Sequence, residues 1–132
     1  MTNIVILSGN LGNDPETSTT AGGIAIAHLS LATSRPRYVD GKIVRDDNGR
    51  AELATEWHRV VAFENIAKAA GKCVKGMKIL VIGRNKTTKW QDRDGNDRYT
   101  TEVIAETIEF LAWPKRGKQK DRDIDPDDDI NF

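Results

Sequence analysis

The chain has 132 residues, of which 38% are hydrophobic, and 20 basic side chains balance 20 acidic ones. This length fits one domain with a tail, and no apolar run approaches the ~20 residues of a membrane-spanning helix. The N-terminus has no basic segment before its apolar stretch, so we expect no signal peptide and no membrane partner. Cys73, His28 and His58 lack metal-ligand spacing, and no Walker loop or nucleophile elbow occurs, so we predict no metal, no cofactor and no enzyme.

The zero net charge hides two segments of opposite sign. Residues 1–120 hold 19 Lys and Arg against 14 Asp and Glu, whereas residues 121–132 hold one Arg against six Asp. A basic body suits a polyanion, which the acidic segment cannot bind. Residues 114–132 have too few apolar side chains to offset their ordering entropy, so we expect disorder from about residue 115. We predict that the tip binds other proteins through Asp127, Asp128, Asp129, Ile130, Asn131 and Phe132.

Five segments read as strands, at residues 3–11, 22–33, 55–63, 77–90 and 99–111. Gly9 and Gly12 predict sharp bends in the first strand, of the kind that small barrels need. Between the second and third strands, residues 34–54 contain two turn pairs and read as an extended hairpin or a flexible loop. A helix follows the third strand, capped by Asn65 and ended by Gly76.

This order of three strands, a helix and two strands matches one known architecture. We predict an all-β fold, the five-stranded Greek-key barrel called the OB-fold, with its single helix between strands three and four. The predicted barrel domain spans residues 1–113, and residues 114–132 form a short linker with an acidic tail. Cys73 reads as a small apolar residue on the helix.

Alternation along the third strand places Trp57, Arg59 and Phe63 on one face. Trp57 and Phe63 by themselves fit a core as well as a surface. An arginine between aromatic residues is unusual in a core, but it suits a surface on which nucleobases stack and phosphates pair with guanidinium groups. The fourth strand and the segment after strand two repeat the mixture of cations and aromatics. The predicted nucleic-acid-binding residues are Trp57, Arg59, Phe63, Arg84, Lys86, Lys89, Trp90, Arg35, Arg37 and Tyr38.

Several motifs together resemble the bacterial single-stranded DNA-binding proteins. The resemblance covers about residues 3–112 and rests on Gly9 to Glu16, Thr55 to Val61, Lys75-Gly76, and Lys89 through Gly95 to Val103. It implies an OB-fold that assembles as a homotetramer around wrapped single-stranded DNA, with stacking by Trp57, Phe63 and Trp90. It also implies work in replication, recombination and repair, a location in the cytoplasm at the nucleoid or in a host's cytoplasm, and a tail that recruits replication and repair proteins.

The chain departs from the family pattern in three regions. Tyr38 stands near a position where the family often has tryptophan, and residues 36–54 form a longer loop than usual. Residues 114–126 replace a long Gly- and Gln-rich linker, and Asn131 replaces a proline in the tip, which loosens the backbone before Phe132. Two other functions remain open, namely an OB-fold that binds structured RNA or serves as a primosome or translation adaptor, and a small nuclease.

Overall fold

The computed structural model describes residues 1–114, which contain eight strands and one helix. No helix in this part of the chain is long and apolar enough to span a membrane. The expected tail disorder, the linker and the tip at residues 127–132 lie outside the described residues. The elements are β1 Val5–Leu11, β2 Glu16–Thr19, β3 Ala25–Pro36, β4 Tyr38–Val39, β5 Lys42–Ile43, β6 Leu53–Phe63, α1 Glu64–Ala70, β7 Lys78–Gln91 and β8 Asp97–Ala112.

Five long strands close into a barrel. Their order is β1-β7-β8-β6-β3, and β1 also pairs with β3, which joins the two ends of the sheet. All these neighbours are antiparallel except β6 and β8, which run parallel. The helix follows the third strand of the barrel and precedes the fourth. The predicted OB-fold barrel is therefore confirmed.

Two glycines make this closure possible because neighbouring backbones come too close for a side chain. A Cβ on Gly9 would lie 2.1 Å from the carbonyl oxygen of Ala32, where β1 crosses from β7 to β3. A Cβ on Gly83 would lie 2.0 Å from the carbonyl oxygen of Ile104, next to a register shift in the β7–β8 ladder. Such contacts require glycine at both positions.

The core fills the barrel from alternate positions of each strand. Val60 and Ala62 of β6 point inward, and α1 covers one end of the barrel with Ala67 and Ala70. Burial alternates along β3 and β7, as the sequence predicts. At the junction of β6 and β8 it does not, because Val61 and Ile104 are buried as well as their neighbours. The cluster consists of Leu11, Ala27, Leu29, Leu31, Val60, Ala62, Ala67, Ala70, Cys73, Met77, Ile79, Val81, Val103 and Ala105.

The helix is shorter than predicted, and both predicted caps are wrong. Its N-cap is Phe63, which makes no side-chain capping bond, because Glu64 turns the chain directly out of β6 with a φ of 58°. Its C-cap is Gly71 rather than Gly76. Gly76 has a φ of 87° in the turn before β7, where its N–H donates to the carbonyl of Leu11 at 2.8 Å. Gly71 therefore ends the helix.

Residues 34–54 form an extended hairpin, which was one of the two predicted alternatives, rather than a flexible loop. The β3–β6 ladder continues to the pair Pro36–Leu53, so Arg35 lies in a strand and not in the loop that we expected. Beyond it, β4 and β5 form a two-residue hairpin in which Asp40 and Gly41 both have positive φ, as a type I′ turn requires. The sequence prediction missed β2, because all four of its side chains are polar or charged and exposed.

Candidate nucleic-acid interface

Two antiparallel ladders extend beyond the point where the barrel strands separate. The parallel ladder between β6 and β8 comprises only the pairs Val60–Val103 and Val61–Ile104. The β3–β6 ladder runs on from there to Pro36–Leu53, and the β7–β8 ladder runs on to Gln91–Asp97. These extensions are called the β3–β6 arm and the β7–β8 arm below. They carry most of the predicted binding residues.

One face of the sheet connects the two arms. Val61 and Ile104 are neighbours across the parallel ladder, and Ile104 pairs with Arg84 of β7. Directly paired residues point to the same side of a sheet, and every second residue along a strand does so too. This side is called the outer face below. It carries Trp57, Arg59, Val61, Phe63, Ile104, Glu102, Arg84, Lys86, Thr88 and Trp90.

Trp57 presents an open ring on the β3–β6 arm. Its side chain is 63% exposed, so it is not a core residue. The ring lies against Gly12, where a Cβ would come within 2.3 Å of the Cζ3 atom. Phe63 is 41% exposed and lies at the other end of β6, about 20 Å away at the usual rise per strand residue. The predicted aromatic face therefore lies at the surface.

Trp90 lies on the β7–β8 arm with its indole held in place. It is 48% exposed, and its Nε1–H donates to Oγ1 of Thr100 at 2.9 Å. The cross-strand partner of Trp90 is Arg98, whose Nε donates to Oδ2 of Asp92 at 2.9 Å. The backbone N–H of Asn96, and then the Arg98 guanidinium, lower the pKa of the Asp92 carboxyl. The ionised carboxylate thus fixes a cation beside the ring.

The predicted cations differ in how they are engaged. Arg84 pairs with Glu106 at 3.4 Å, Lys89 with Asp97 at 3.2 Å and Arg37 with Glu52 at 3.6 Å. Exposed pairs of this kind contribute about 0–1 kcal/mol, so a phosphate can replace the carboxylate at little cost. In the described part of the chain, three further predicted cations form no ion pair within 4.0 Å. They are Arg35, Arg59 and Lys86.

The structure does not bring every predicted residue onto the outer face. Arg35 pairs with Ala54 on the reverse side of the β3–β6 arm, because it alternates with residues that share the side of Trp57. Lys89 pairs with Tyr99 on the reverse side of the β7–β8 arm. Tyr38 is 59% exposed in the separate β4–β5 hairpin, and Arg37 precedes it. A ligand that touches all ten residues must cross the edges of both arms.

Comparison with known proteins agrees with this geometry. The model of the single-strand binding protein family matches residues 2–111. This chain belongs to that family. A solved structure described as a Plasmodium falciparum SSB complex with ssDNA matches with a TM-score of 0.69 and 30% sequence identity, covering 84% of this chain and 96% of the other. The resemblance inferred from the sequence motifs is thereby confirmed.

Sequence reasoning missed three side chains on the arms of this family member. Tyr99 is 66% exposed and faces Lys89 on the reverse side, so it repeats the mixture of aromatic and cation found around Trp90. Tyr99 directly follows Arg98 in the sequence, and this combination of a cation and an aromatic residue could have identified it. Thr100 orients Trp90 through a hydrogen bond that only the β7–β8 register reveals. Glu102, for which the sequence pattern predicted no role, is half-buried and lines the same groove as Arg59.

Cys73 lies between α1 and β7 and not on the helix, so its predicted position is wrong. Nε2 of the half-buried His58 is 2.9 Å from Oγ1 of Thr33, an intramolecular hydrogen bond rather than a metal contact. Cys73 is buried in the core, and burial raises the pKa of its thiol, so it is a poor nucleophile at neutral pH. Within residues 1–114, no group of His, Cys, Asp or Glu is arranged to hold a metal ion.

Replacing Thr100 with valine tests whether the indole of Trp90 has to be oriented. The change removes the acceptor of the Nε1–H bond without altering side-chain volume much, so we expect a several-fold loss of affinity for oligo-dT in a fluorescence titration. Thr101→Val is the matched control, because it breaks the bond between Thr87 and Thr101 on the reverse side of the arm. Equal losses in the two variants would contradict a specific role for Thr100.

Proposed function

We propose that this protein binds single-stranded DNA without overall sequence preference, protects it, and makes or breaks no bond in doing so. The observation that carries the proposal is the outer face itself, on which the exposed rings of Trp57 and Trp90 accompany cations. Family membership and the similarity to an SSB complex with ssDNA support the same reading. The predicted roles in replication, recombination and repair, and a cytoplasmic location, form part of this proposal.

Binding combines two physical terms. Each base that stacks on an aromatic ring contributes about 1–3 kcal/mol, and this term tolerates any sequence because every base has a π face. Arg59 and Lys86 have no protein counter-charge within 4.0 Å in the described residues, so they pair with phosphates directly. Arg84, Arg37 and Lys89 exchange a weak surface ion pair for a phosphate. Tyr38 and Arg35 serve as further contacts for a strand that passes around the β3–β6 arm.

The double variant Trp57→Ala with Trp90→Ala tests the stacking surface. If each ring contributes about 1–3 kcal/mol, the variant loses about 2–6 kcal/mol of binding free energy for oligo-dT. A salt titration accompanies it, with an expected slope of about −0.7 per neutralised phosphate in a log–log plot. Trp113→Ala is the control. This exposed residue follows the C-terminal end of β8, whereas the tip of the arm is at the N-terminal end of that strand. Undiminished affinity in the double variant, or tighter binding of duplex or structured RNA than of oligo-dT, refutes the proposal.

The proposed homotetramer has a candidate contact surface away from the arms. Ile4, just before β1, is 65% exposed, and Ile6, within β1, is 64% exposed. Ile6 pairs with Ile82 of β7 on the outside of the barrel. Leu80 lies two residues from Ile82 on the same side and is half-buried. Apolar side chains grouped in this way on a surface favour contact with another protein. We assign this patch, Ile4, Ile6, Leu80 and Ile82, to contact between copies of the chain.

Ile6→Glu tests that assignment. A charge in a buried interface loses its hydration without a partner, so we expect the tetramer to dissociate into smaller species in sedimentation-velocity runs. The free chain should fold normally, because Ile6 is exposed in it. Ile24→Glu, on the turn between β2 and β3, adds the same charge outside the patch and should leave the assembly unchanged. A wild-type monomer at micromolar concentration would contradict the proposed tetramer.

We propose that the acidic tip at residues 127–132 recruits replication and repair proteins. Its apolar end fits a hydrophobic pocket on a partner, and its aspartates favour basic surroundings. The six aspartates of residues 121–132 compete with phosphates for the basic body at low salt, which gives the tail a second, inhibitory effect. Mutations can therefore separate the inhibitory effect of the aspartates from the binding of partner proteins by the apolar end.

Deleting residues 121–132 should leave oligo-dT affinity equal or higher at low salt and abolish partner capture. Phe132→Ala is the matched control, because it keeps all six aspartates and removes only the aromatic end. It should lose partner binding with no change in DNA affinity. The measurements are fluorescence titration and pull-down of purified candidate partners. Weaker DNA binding by the truncated chain would refute the inhibitory effect.

A further inference from the structure

A groove between β2 and α1 adjoins the outer face at the Phe63 end of β6, and it is called the α1 groove below. It has a volume of about 440 Å³, within the ~300–1,000 Å³ typical of ligand sites. Ile26 lines the groove and is also the direct cross-strand partner of Phe63 in the β3–β6 ladder. Because paired residues point to the same side of a sheet, the groove begins beside the Phe63 ring. A DNA strand that stacks a base on Phe63 therefore meets this groove next.

The α1 groove is positively charged. Two exposed lysines, Lys68 and Lys72, line it, and no carboxylate does, so its lining carries a charge of +2. Within residues 1–114, neither lysine forms an ion pair within 4.0 Å. Glu16 and Glu64 begin the flanking elements β2 and α1, but they do not line the groove. Two unpaired cations in one concave surface attract a polyanion.

The rest of the lining suits the backbone of a nucleic acid better than its bases. Thr17, Ser18 and Thr19 supply hydroxyl groups from β2, and such groups commonly contact phosphate and sugar. Ala25 and Ala67 add small apolar surfaces that can contact deoxyribose. The residues that line the groove include no aromatic ring on which a base could stack. Binding in the α1 groove should therefore be electrostatic and independent of sequence.

The spacing of the two lysines allows them to contact neighbouring phosphates. Lys68 lies in the last turn of α1, and the backbone still turns at Lys72, whose N–H donates to the carbonyl of Ala69 at 3.2 Å. Residues four positions apart on a helical turn have their Cβ atoms about 5–6 Å apart. Gly71 keeps the space between them open, because a Cβ there would lie 3.2 Å from Cγ2 of Thr17 and narrow the groove.

We propose that the DNA strand leaving Phe63 continues through the α1 groove, where Lys68 and Lys72 each bind one phosphate. The inference rests on the proposed single-stranded DNA binding. It lengthens the stretch of DNA held by each copy of the chain and adds no base preference, because the groove contacts the backbone alone. The acidic residues 121–132 also complement the charge of the two lysines, but the continuity of the groove with Phe63 favours DNA.

The double variant Lys68→Ala with Lys72→Ala tests the α1 groove. Affinity for oligo-dT is measured by fluorescence titration at lengths from about 4 to about 16 nucleotides, the range of site sizes of one OB-fold. The shortest oligomers occupy the stacking surface alone, so the variant should bind them as tightly as the wild type does. With the longest oligomers, losing two phosphate contacts should reduce the log–log salt slope by about 1.4. An affinity loss of about 25-fold at ~0.1 M salt should then disappear at ~1 M salt.

Lys75→Ala is the control, because Lys75 is an exposed lysine three residues after Lys72 that does not line the groove. Its effect on affinity should not depend on oligomer length. The inference is overturned by an equal loss at every length in the double variant, by an unchanged salt slope with the longest oligomers, or by the same length dependence in the control. Tighter binding of oligo-dT by the double variant also overturns it, since the groove would then hold the acidic tail. Failure of the wild type to bind oligo-dT at any length would instead refute the proposed function.

Discussion

The brevity of the parallel ladder between β6 and β8 is the constraint on which the interface depends. Strands joined along their whole length would form one continuous wall. Because pairing stops after Val61–Ile104, each strand follows its antiparallel partner away from the barrel, and two arms result. Residues toward the tips of the arms are exposed on both sides, so they can be aromatic or cationic without disturbing the core. The barrel contains the hydrophobic core, and the arms carry most of the predicted binding residues.

Much of the fold follows from local sequence signals. The five barrel strands are visible as runs of β-branched residues, and the glycine that permits closure stands in the first of them. The helix ends were not visible, because Glu64 takes up a left-handed conformation that its side chain does not favour and tertiary packing decides where the chain turns. The strand β2 was invisible too, since four exposed polar residues give no alternation of burial.

In the candidate site, too, the features that depend on local sequence could be predicted, and those that depend on the tertiary fold could not. Alternation within one strand is a local property, so Trp57 and Arg59 could be assigned to a shared face from the sequence alone. Which side of a neighbouring strand joins that face depends on register, and register is fixed by the whole barrel. For this reason Arg35 and Lys89 lie on the reverse sides of the two arms, and the groove that Arg59 and Glu102 share is apparent only in three dimensions.

The loop that contacts the Trp57 ring is held in place by hydrogen bonds that lie away from the ring. The loop after β1 that carries Gly12 is tied to the segment before β7, since Oδ1 of Asp14 accepts the N–H of Lys75 at 2.8 Å and Leu11 exchanges backbone bonds with Gly76 and Met77. The position of the ring thus depends on two segments, the loop after β1 and the turn before β7. If either turn loosened, the indole of Trp57 would lose its support while the β-strands stayed intact. On heating, ligand binding would then weaken at a temperature below that of unfolding.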